Sequence, residues 1–380
     1  MGNEEYKVQR PSLFNFGVIL KTISKKRENL NIIFLAPGFP KDEQDGTCIP
    51  ALQQFVYHFA KLNPDIRIAV IAFQYPYRKK KYQWHGIDIY SCGGEDRRRV
   101  GRLITWLKAI RYMLQIHFKN KVLLIHSFWL EECAVIGQIM SKILVTKHIG
   151  SIMGQDAPKP NFYLKYFDYA SMVITAGSSK AADIFYRFTG RNVDAIISIG
   201  LDVDNFHPTT QSRDRKIDVL GVGALTVLKN YQLFIEVIAK LKTFYHEIQA
   251  AVIGEGSEYP NLEQMIHQYE LANNVRLLGK CPRPEVIEYM YQSKILLHPS
   301  TYEGQGYVFL EALYCGLTVV CFDVGYTEES KKMIICNDKQ DMLNQMKLLL
   351  KKPLDFDPML MKSIDETVTD FFRLYFSNIQ

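Results

Sequence analysis

Nothing in the 380-residue sequence is apolar without interruption for about 18 residues, the least a membrane-spanning helix needs, so no such helix is expected. Residues 1–30 set Glu4, Glu5, Lys7 and Arg10 ahead of a weak apolar patch, and no small-residue cleavage site follows, which argues against a secretory signal. Cysteine is sparse. The seven thiols (Cys48, Cys92, Cys133, Cys281, Cys315, Cys321 and Cys336) are odd in number and nowhere closely paired. That argues against a disulfide framework and a zinc site and fits reduced thiols in a cytosol. Asp, Glu and His do not gather at ligand spacing, so no metal is expected. No basic helix carries interleaved aromatics and the net charge of +6 is modest, so nucleic acid is not an expected partner. Repeats and low-complexity tracts are missing too. What remains, with 47% hydrophobic and 23% charged residues, is a globular chain long enough for two α/β domains.

Short β-branched runs alternate with helix-length amphipathic stretches, the pattern of parallel strands covered on both faces. Strands are expected at 31–36, 66–73, 122–126, 143–147 and 172–175, with helices at 48–62 and 179–188. Residues 209–216 are polar and aperiodic and form the expected linker. A second series follows, with strands at 218–222, 250–253, 275–278, 295–298 and 318–322 and helices at 230–244, 262–269, 285–291, 308–315 and 339–350. The expected fold class is α/β: two doubly wound Rossmann-like domains, 29–208 and 209–355, with a basic and apolar tail at 1–28 and a C-terminal helix within 356–380. Ligands of such domains lie beyond the carboxyl ends of the strands, which places the site in the interdomain cleft. Neither first strand leads into Gly-x-Gly-x-x-Gly, and a nicotinamide-dependent oxidoreductase is set aside.

The most informative segment is His298-Pro-Ser-Thr-Tyr-Glu-Gly-Gln-Gly-Tyr-Val-Phe-Leu-Glu-Ala-Leu-Tyr-Cys-Gly316. It reads as a buried strand, a glycine-rich turn and a helix beginning near Gly306. Gly304 and Gly306 let another group approach the backbone. Free N–H groups at the helix start, with the dipole behind them, make a seat for a diphosphate. Glu303 stands at the strand-to-turn junction and Glu311 one to two turns into the helix. Ionised carboxylates only accept hydrogen bonds, which suits the hydroxyls of a ribose and a hexose.

This segment resembles the Glu-(seven residues)-Glu motif of glycosyltransferase family 4 (glycosyl transferases group 1), retaining enzymes of GT-B fold, and its flanks match as well. By that resemblance Glu311 would hold the donor ribose and Glu303 would contact the transferred sugar. The backbone of Gly304, Gln305, Gly306, Tyr307 and Val308 would serve the diphosphate and the sugar. Val219-Leu-Gly-Val-Gly-Ala-Leu-Thr-Val-Leu-Lys-Asn230 resembles the donor domain's first strand and loop. There Gly223 lies in the loop, Lys229 falls on the lysine of a phosphate-clasping pair, and Ala224 occupies the arginine position. Val252-Ile-Gly-Glu-Gly256 is similar to the second strand, with Gly254 and Gly256 in a turn near the nucleotide, and Leu277-Leu-Gly-Lys-Cys-Pro282 to the segment whose backbone reads the base.

The first half resembles the family more loosely. Leu35-Ala-Pro-Gly-Phe-Pro40 and the loop to Gly46 resemble the glycine loop that approaches sugar and phosphates. Leu124-Ile-His126 resembles a strand ending in a cleft-facing histidine, and His126 is either a catalytic group or a satisfied strand-end histidine. Where many members carry a histidine this chain has Met153, although Gly154 and Asp156 match. Ile199-Gly-Leu-Asp-Val-Asp-Asn-Phe-His-Pro208 resembles the segment that closes the first domain. The aromatic-rich stretch 370–376 is either a helix that crosses back onto that domain or an ordinary terminal helix.

The resemblance implies transfer of a hexose or N-acetylhexosamine from a nucleotide sugar to a saccharide or lipid-linked acceptor, in polysaccharide or glycan synthesis. Anomeric configuration would be retained and no metal or other cofactor used, with Glu303, Lys229 and His126 as the catalytic set. A sugar-nucleotide epimerase or hydrolase, or a non-catalytic nucleotide-sugar-binding partner of another transferase, would use the same donor seat. No carboxylate pair stands out as a hydrolase's acid and nucleophile. Basic residues gather at Lys21 to Arg27, Arg78 to Lys81, and Arg97 to Arg102, all in the first third of the chain. The stretch 13–27 mixes these with apolar residues and is either a helix lying on an anionic membrane or one packed on its own domain. The location implied is cytoplasmic, peripheral at the inner face of the membrane in the first case.

Overall fold

The computed structural model describes residues 30–377 except 47, 79, 96–99, 155, 157–160, 208–214 and 328–329. The tail at 1–28, Arg97 to Arg99 and most of the expected linker lie outside the described residues. Two sheets follow one another along the chain. The first contains β1 (Leu30–Gly38), β2 (Ile66–Tyr75), β3 (Lys80–Trp84), β4 (Ile87–Ser91), β5 (Val122–Phe128), β6 (Lys147–Ile152), β7 (Val173–Ala176) and β8 (Ala195–Ile196). Its helices are α1 (Pro50–Leu62), α2 (Val100–Lys119), α3 (Glu132–Leu144) and α4 (Ser179–Thr189). The second contains β9 (Ile217–Val222), β10 (Ala250–Ile253), β11 (Val275–Gly279), β12 (Ser293–His298), β13 (Thr318–Phe322) and β14 (Met333–Cys336). With it go α5 (Tyr231–Lys242), α6 (Tyr259–Gln268), α7 (Arg283–Tyr291), α8 (Tyr307–Tyr314) and α9 (Lys339–Leu350), and the final helix is α10 (Ile364–Phe376).

The sheet orders are β3-β4-β2-β1-β5-β6-β7-β8 and β11-β10-β9-β12-β13-β14. Every pairing is parallel except β3 with β4. Residues 32–36 show why the strand runs are unbroken by polar residues: all five are fully buried. Ile32, Phe34 and Ala36 pack under α1 and α10, while Ile33 and Leu35 pack under α2 and α3. Winding reverses once in each sheet, between β1 and β5 and between β9 and β12. Loops leaving such a pair diverge and open a crevice at the carboxyl edge. Both crevices contribute to one cavity, whose walls include Pro37 and Trp129 from the first and Lys229 and Glu303 from the second.

By its packing α10 belongs to the first domain. Phe371, Phe372, Tyr375 and Phe376 join the core beneath α1, with the Phe371 and Phe55 rings 4.9 Å apart. Ser363 and Glu366 form a capping box that fixes where the helix begins. Just before it, Leu201 N–H donates to Lys362 C=O (2.9 Å) and Ile364 N–H to Leu201 C=O (3.0 Å), so the outward and returning crossings of the chain lie side by side.

The strand expected at 143–147 is displaced. Ile143 and Leu144 end α3, Val145 is its left-handed cap (φ 50°), and the strand is β6. The β-branched run imitates a buried strand, yet Ile143 and Val145 are 61% and 87% exposed. Periodicity also gives no sign of the β3–β4 hairpin, which turns at His85 and Gly86 with φ of 46° and 77°. Its edge strand β3 is mostly exposed and carries the basic residues Lys80 and Lys81. Helix α2 escapes for a different reason: it is apolar on its outer face as well as its inner one, which erases the amphipathic period.

Candidate active site

Two loops of the second domain make the floor of the site. The loop after β9 ends in one 3-10 turn, Val227–Lys229, that lifts Lys229 over the sheet edge. The loop after β12 is tied to it where Thr301 N–H and Ser300 Oγ both donate to Leu228 C=O (2.9 and 3.2 Å). Lys229 Nζ thereby comes to 2.5 Å from Glu303 Oε1, and His298 Nε2, at the end of β12, lies 2.6 Å from the same oxygen. Burial holds the pKa of His298 down, so the ring is neutral and its Nε2 must carry the proton to face a carboxylate. Burial alone would raise the pKa of Glu303. The His298 hydrogen bond and the Lys229 ammonium outweigh it and hold the carboxyl at about 2. Glu303 is therefore an ionised acceptor, and neither of these bonds uses its Oε2.

The first domain supplies the opposite wall, and Asp156 shapes it. This fully buried carboxylate accepts from Leu130 N–H (2.8 Å), Gly154 N–H (2.7 Å) and Met153 N–H (3.2 Å), buckling the loops after β5 and β6 together. Burial raises its pKa and these backbone donors pull it back. Asp156→Ala leaves those N–H groups without an acceptor and is expected to cost about 2 kcal/mol in urea unfolding. A loss within experimental error would show that the loops hold without it. Trp129 (φ 70°) and Ile49 (φ 53°) line the same cavity in the left-handed region, which costs about 1–3 kcal/mol each for such residues and clusters at functional sites.

Between the walls lies a cavity of 460 Å³ lined by Lys229, Glu303, Gly304, Gln305, Gly306 and Tyr307 from one side and by Trp129, Ser151, Met153, Gly154 and Phe371 from the other. Gly306 (φ 76°) begins α8 without a side-chain cap, so the positive end of that helix is unshielded beside the cavity. The same loop clasps the first domain. A Cβ on Gly304 would stand 2.3 Å from the Met153 carbonyl oxygen, Ser178 Oγ donates to Gly304 C=O (3.0 Å), and Tyr302 donates its hydroxyl to Gly154 C=O. The Gln305 side chain pairs with the Ile199 backbone, accepting from its N–H at 2.8 Å and donating to its C=O.

Several expected site residues sit elsewhere. His126 does not face the cleft: it is fully buried among Phe34, Phe55, Phe128 and Phe371. Its Nδ1 bonds Tyr375 Oη (2.6 Å) and its Nε2 bonds Ser151 Oγ (2.7 Å), while burial drives its pKa far down. It is a neutral core histidine that supports a wall residue. Glu311 is not at the cavity wall either. It lies 8% exposed beneath α8, ion-paired with Arg283. Gly46 opens on a neighbouring 540 Å³ cavity that it shares with Arg283 and Asp202. Gly223, Gly254 and Gly256 line neither cavity; Gly254 (φ 153°) and Gly256 let the turn after β10 press on the loop after β9, since a Cβ on either would meet backbone oxygens of that loop at 1.9 and 2.2 Å. Val308 is half-buried in the first turn of α8.

Sequence reasoning assigned no role to His298, Asp156 or Arg283. The signal for His298 was its place at the end of a strand, five residues before Glu303. Asp156 comes two residues after Gly154 in a tight loop, where a carboxylate collects backbone donors. Nothing local connects Arg283 with Glu311; their pairing depends on α7 and α8 being brought together by the fold.

The profile of the family described as glycosyl transferases group 1 matches residues 202–355. The GPI3 subunit of phosphatidylinositol N-acetylglucosaminyltransferase from Saccharomyces cerevisiae is 34% identical over 115 residues, 30% of this chain and 25% of that protein. The match thus spans about a quarter of that relative's length. Among solved structures, sucrose-phosphate synthase from Thermosynechococcus elongatus superimposes with a TM-score of 0.72 at 15% identity, over 92% of this chain and 99% of that one. HepE from Anabaena, solved with UDP and glucose, gives 0.66 at 17% identity over 91% and 99%. These likenesses extend through both domains and establish the GT-B arrangement for the whole chain. The fold is thus GT-B, and its second domain, residues 202–355, carries the match to the glycosyl transferases group 1 family.

Proposed function

We propose that the chain transfers a hexose or N-acetylhexosamine from a nucleoside-diphosphate sugar to a saccharide or lipid-linked acceptor, with retained configuration, in the synthesis of a glycan at the cytoplasmic side of a membrane. One observation carries the reading: an ionised Glu303, gripped by Lys229 and His298, stands beside the open amino end of α8 and faces the other domain across the cavity. Glu303 is placed to accept hydrogen bonds from the hydroxyls of the sugar being moved. Lys229 and the first N–H groups of α8 are placed to stabilise charge on the departing diphosphate. In this scheme the leaving phosphate oxygen takes the acceptor's proton, and the counter-charge comes from the protein with no role assigned to a metal. The first domain, with Trp129, Ser151 and Met153, contributes the acceptor side.

UDP-N-acetylglucosamine is the first donor to test, because the yeast relative is named for N-acetylglucosamine transfer. Thermal-shift measurements with UDP-, GDP-, ADP- and dTDP-sugars should single out one nucleotide. Ligand at a hundredfold excess over Kd stabilises by about 2.7 kcal/mol, enough to raise Tm by a few degrees. No shift with any of the four would end the proposal. Ala224 and Met153, which stand where the resemblance usually has Arg and in many members His, leave room for one second reading, a donor epimerase or hydrolase. Incubation with donor alone separates the two, since only the second reading consumes it without an acceptor.

A further inference from the structure

Helix α2 is apolar on two faces. Its inner face, Thr105, Ala109, Tyr112, Met113 and Ile116, is buried against the first sheet. Its outer face exposes Val100 (71%), Leu103 (53%), Ile104 (49%) and Leu107 (59%), which recur at i, i+3, i+4 and i+7 and so form one stripe. A second apolar element adjoins the stripe. The 3-10 turn Phe162–Tyr166 exposes Phe162 and Tyr166, whose rings lie 4.9 Å apart, and it is tied to α2 where Arg102 donates to Tyr163 Oη at 2.8 Å. Contiguous exposed apolar surface of this kind is uncommon on a chain that meets only water, and it calls for an occupant.

We infer that the outer face of α2, together with the turn Phe162–Tyr166, is a docking surface for a membrane that contains anionic phospholipid. Charge complementarity selects the occupant. Across its 20 residues α2 carries Arg102, Lys108, Arg111 and Lys119 and not one Asp or Glu. Lys165 and Arg111 are exposed at the margins of the stripe. Glu132, which approaches from α3, is buried and neutralised in place by Trp106 Nε1 (2.7 Å) and Arg102 (3.8 Å). Aliphatic side chains flanked by cations, with an aromatic pair beside them, match the boundary between acyl chains and anionic headgroups.

Position gives the surface a use. Asn161 begins the aromatic turn by accepting from Tyr163 N–H, and its amide donates to Leu130 C=O (2.8 Å) and Asp156 C=O (3.1 Å). The Asp156 carboxylate in turn fixes Met153 and Gly154 at the cavity wall. The apolar surface and the acceptor side of the cavity are thus joined through a few hydrogen-bonded residues, which suits an acceptor whose sugar is attached to a lipid. The docking itself requires no particular donor or acceptor, so failure of transfer and failure of docking are separate results.

The test is co-sedimentation of the full chain with phosphatidylcholine vesicles and with vesicles that also contain phosphatidylserine. Binding is expected to the second kind, weakening as salt is raised. Leu103→Glu with Leu107→Glu should weaken it on the order of a hundredfold while Tm and the response to UDP stay unchanged. Arg111→Glu with Lys165→Glu should cost about tenfold on the anionic vesicles and nothing on the neutral ones. Phe162→Ser with Tyr166→Ser serves as an independent apolar variant should the leucine pair fail to fold. The inference is overturned if the wild-type chain ignores anionic vesicles. It is equally overturned if the leucine variant binds them like wild type, which would move the lipid contact to residues such as 1–28. A wild-type dimer that the leucine variant dissolves would assign the stripe to a second copy of the chain instead.

Discussion

Glu303→Gln is expected to lower kcat/KM for sugar transfer on the order of a thousandfold, the loss falling in kcat, with the melting temperature nearly unchanged. The carboxylate oxygen Oε1 accepts from both His298 and Lys229. A glutamine can keep its carbonyl oxygen there, and it then turns an NH2 donor to where Oε2 stood. A sugar hydroxyl that was accepted is then repelled by another donor, and the negative charge that set the position of Lys229 is gone. Lys229 itself is a quarter exposed and can be hydrated, so little stability should be lost with the pair. Nucleotide affinity should hold or rise, because the ammonium no longer has a carboxylate competing with the diphosphate for it. Lys229→Ala provides the contrast, weakening UDP binding before it touches chemistry. Turnover of Glu303→Gln within a few-fold of wild type would remove Glu303 from the mechanism.

The second domain was nearly legible in the sequence because most of its strands are short apolar runs, with glycine just past β9 and β10, so period and punctuation agree. Glu303, Gly304, Gly306 and Lys229 were legible for a related reason: they belong to the two loops that leave the switch point of that sheet, and each is fixed by its own local turn. What could not be read is whatever depends on contacts distant in sequence. His126 ends the run expected as a strand, yet β5 continues to Phe128, and α10 returns from some 249 positions further on and seals the histidine with Tyr375. Gln305 lies in the motif, yet Ile199 takes its amide. The stretch 143–147 shows the converse error, where β-branched residues suggested a strand and an exposed helix end received them. Exposure, unlike periodicity, is a property of the finished fold.

Arg283→Ala is expected to destabilise the chain by about 3–5 kcal/mol, because it strands a buried carboxylate. Glu311 is 8% exposed amid the apolar core of α8, and Arg283, with only 18% of its side chain exposed, is its ion-pair partner. Burial pushes the pKa of Glu311 up, and Arg283 offsets part of that rise. Without the guanidinium the folded-state pKa climbs further, so the folded chain binds a proton that the unfolded chain releases. Stability then increases as pH falls: the variant should be least damaged near about pH 5 and most damaged near about pH 8, whereas the wild type should vary less over that window. Urea midpoints at both values measure the difference. A compensating change isolates the cause. Adding Glu311→Gln to Arg283→Ala replaces the stranded charge with a neutral amide, and should return much of the loss and abolish its pH dependence. If Arg283→Ala costs less than about 1 kcal/mol, or the same amount at both pH values, the pair is a surface-like contact and Glu311 is free to turn toward a ribose. If the cost is large, the hydroxyls of a bound nucleoside must displace a strong partner to reach Glu311, and Arg283 becomes the residue that sets how readily the donor is seated.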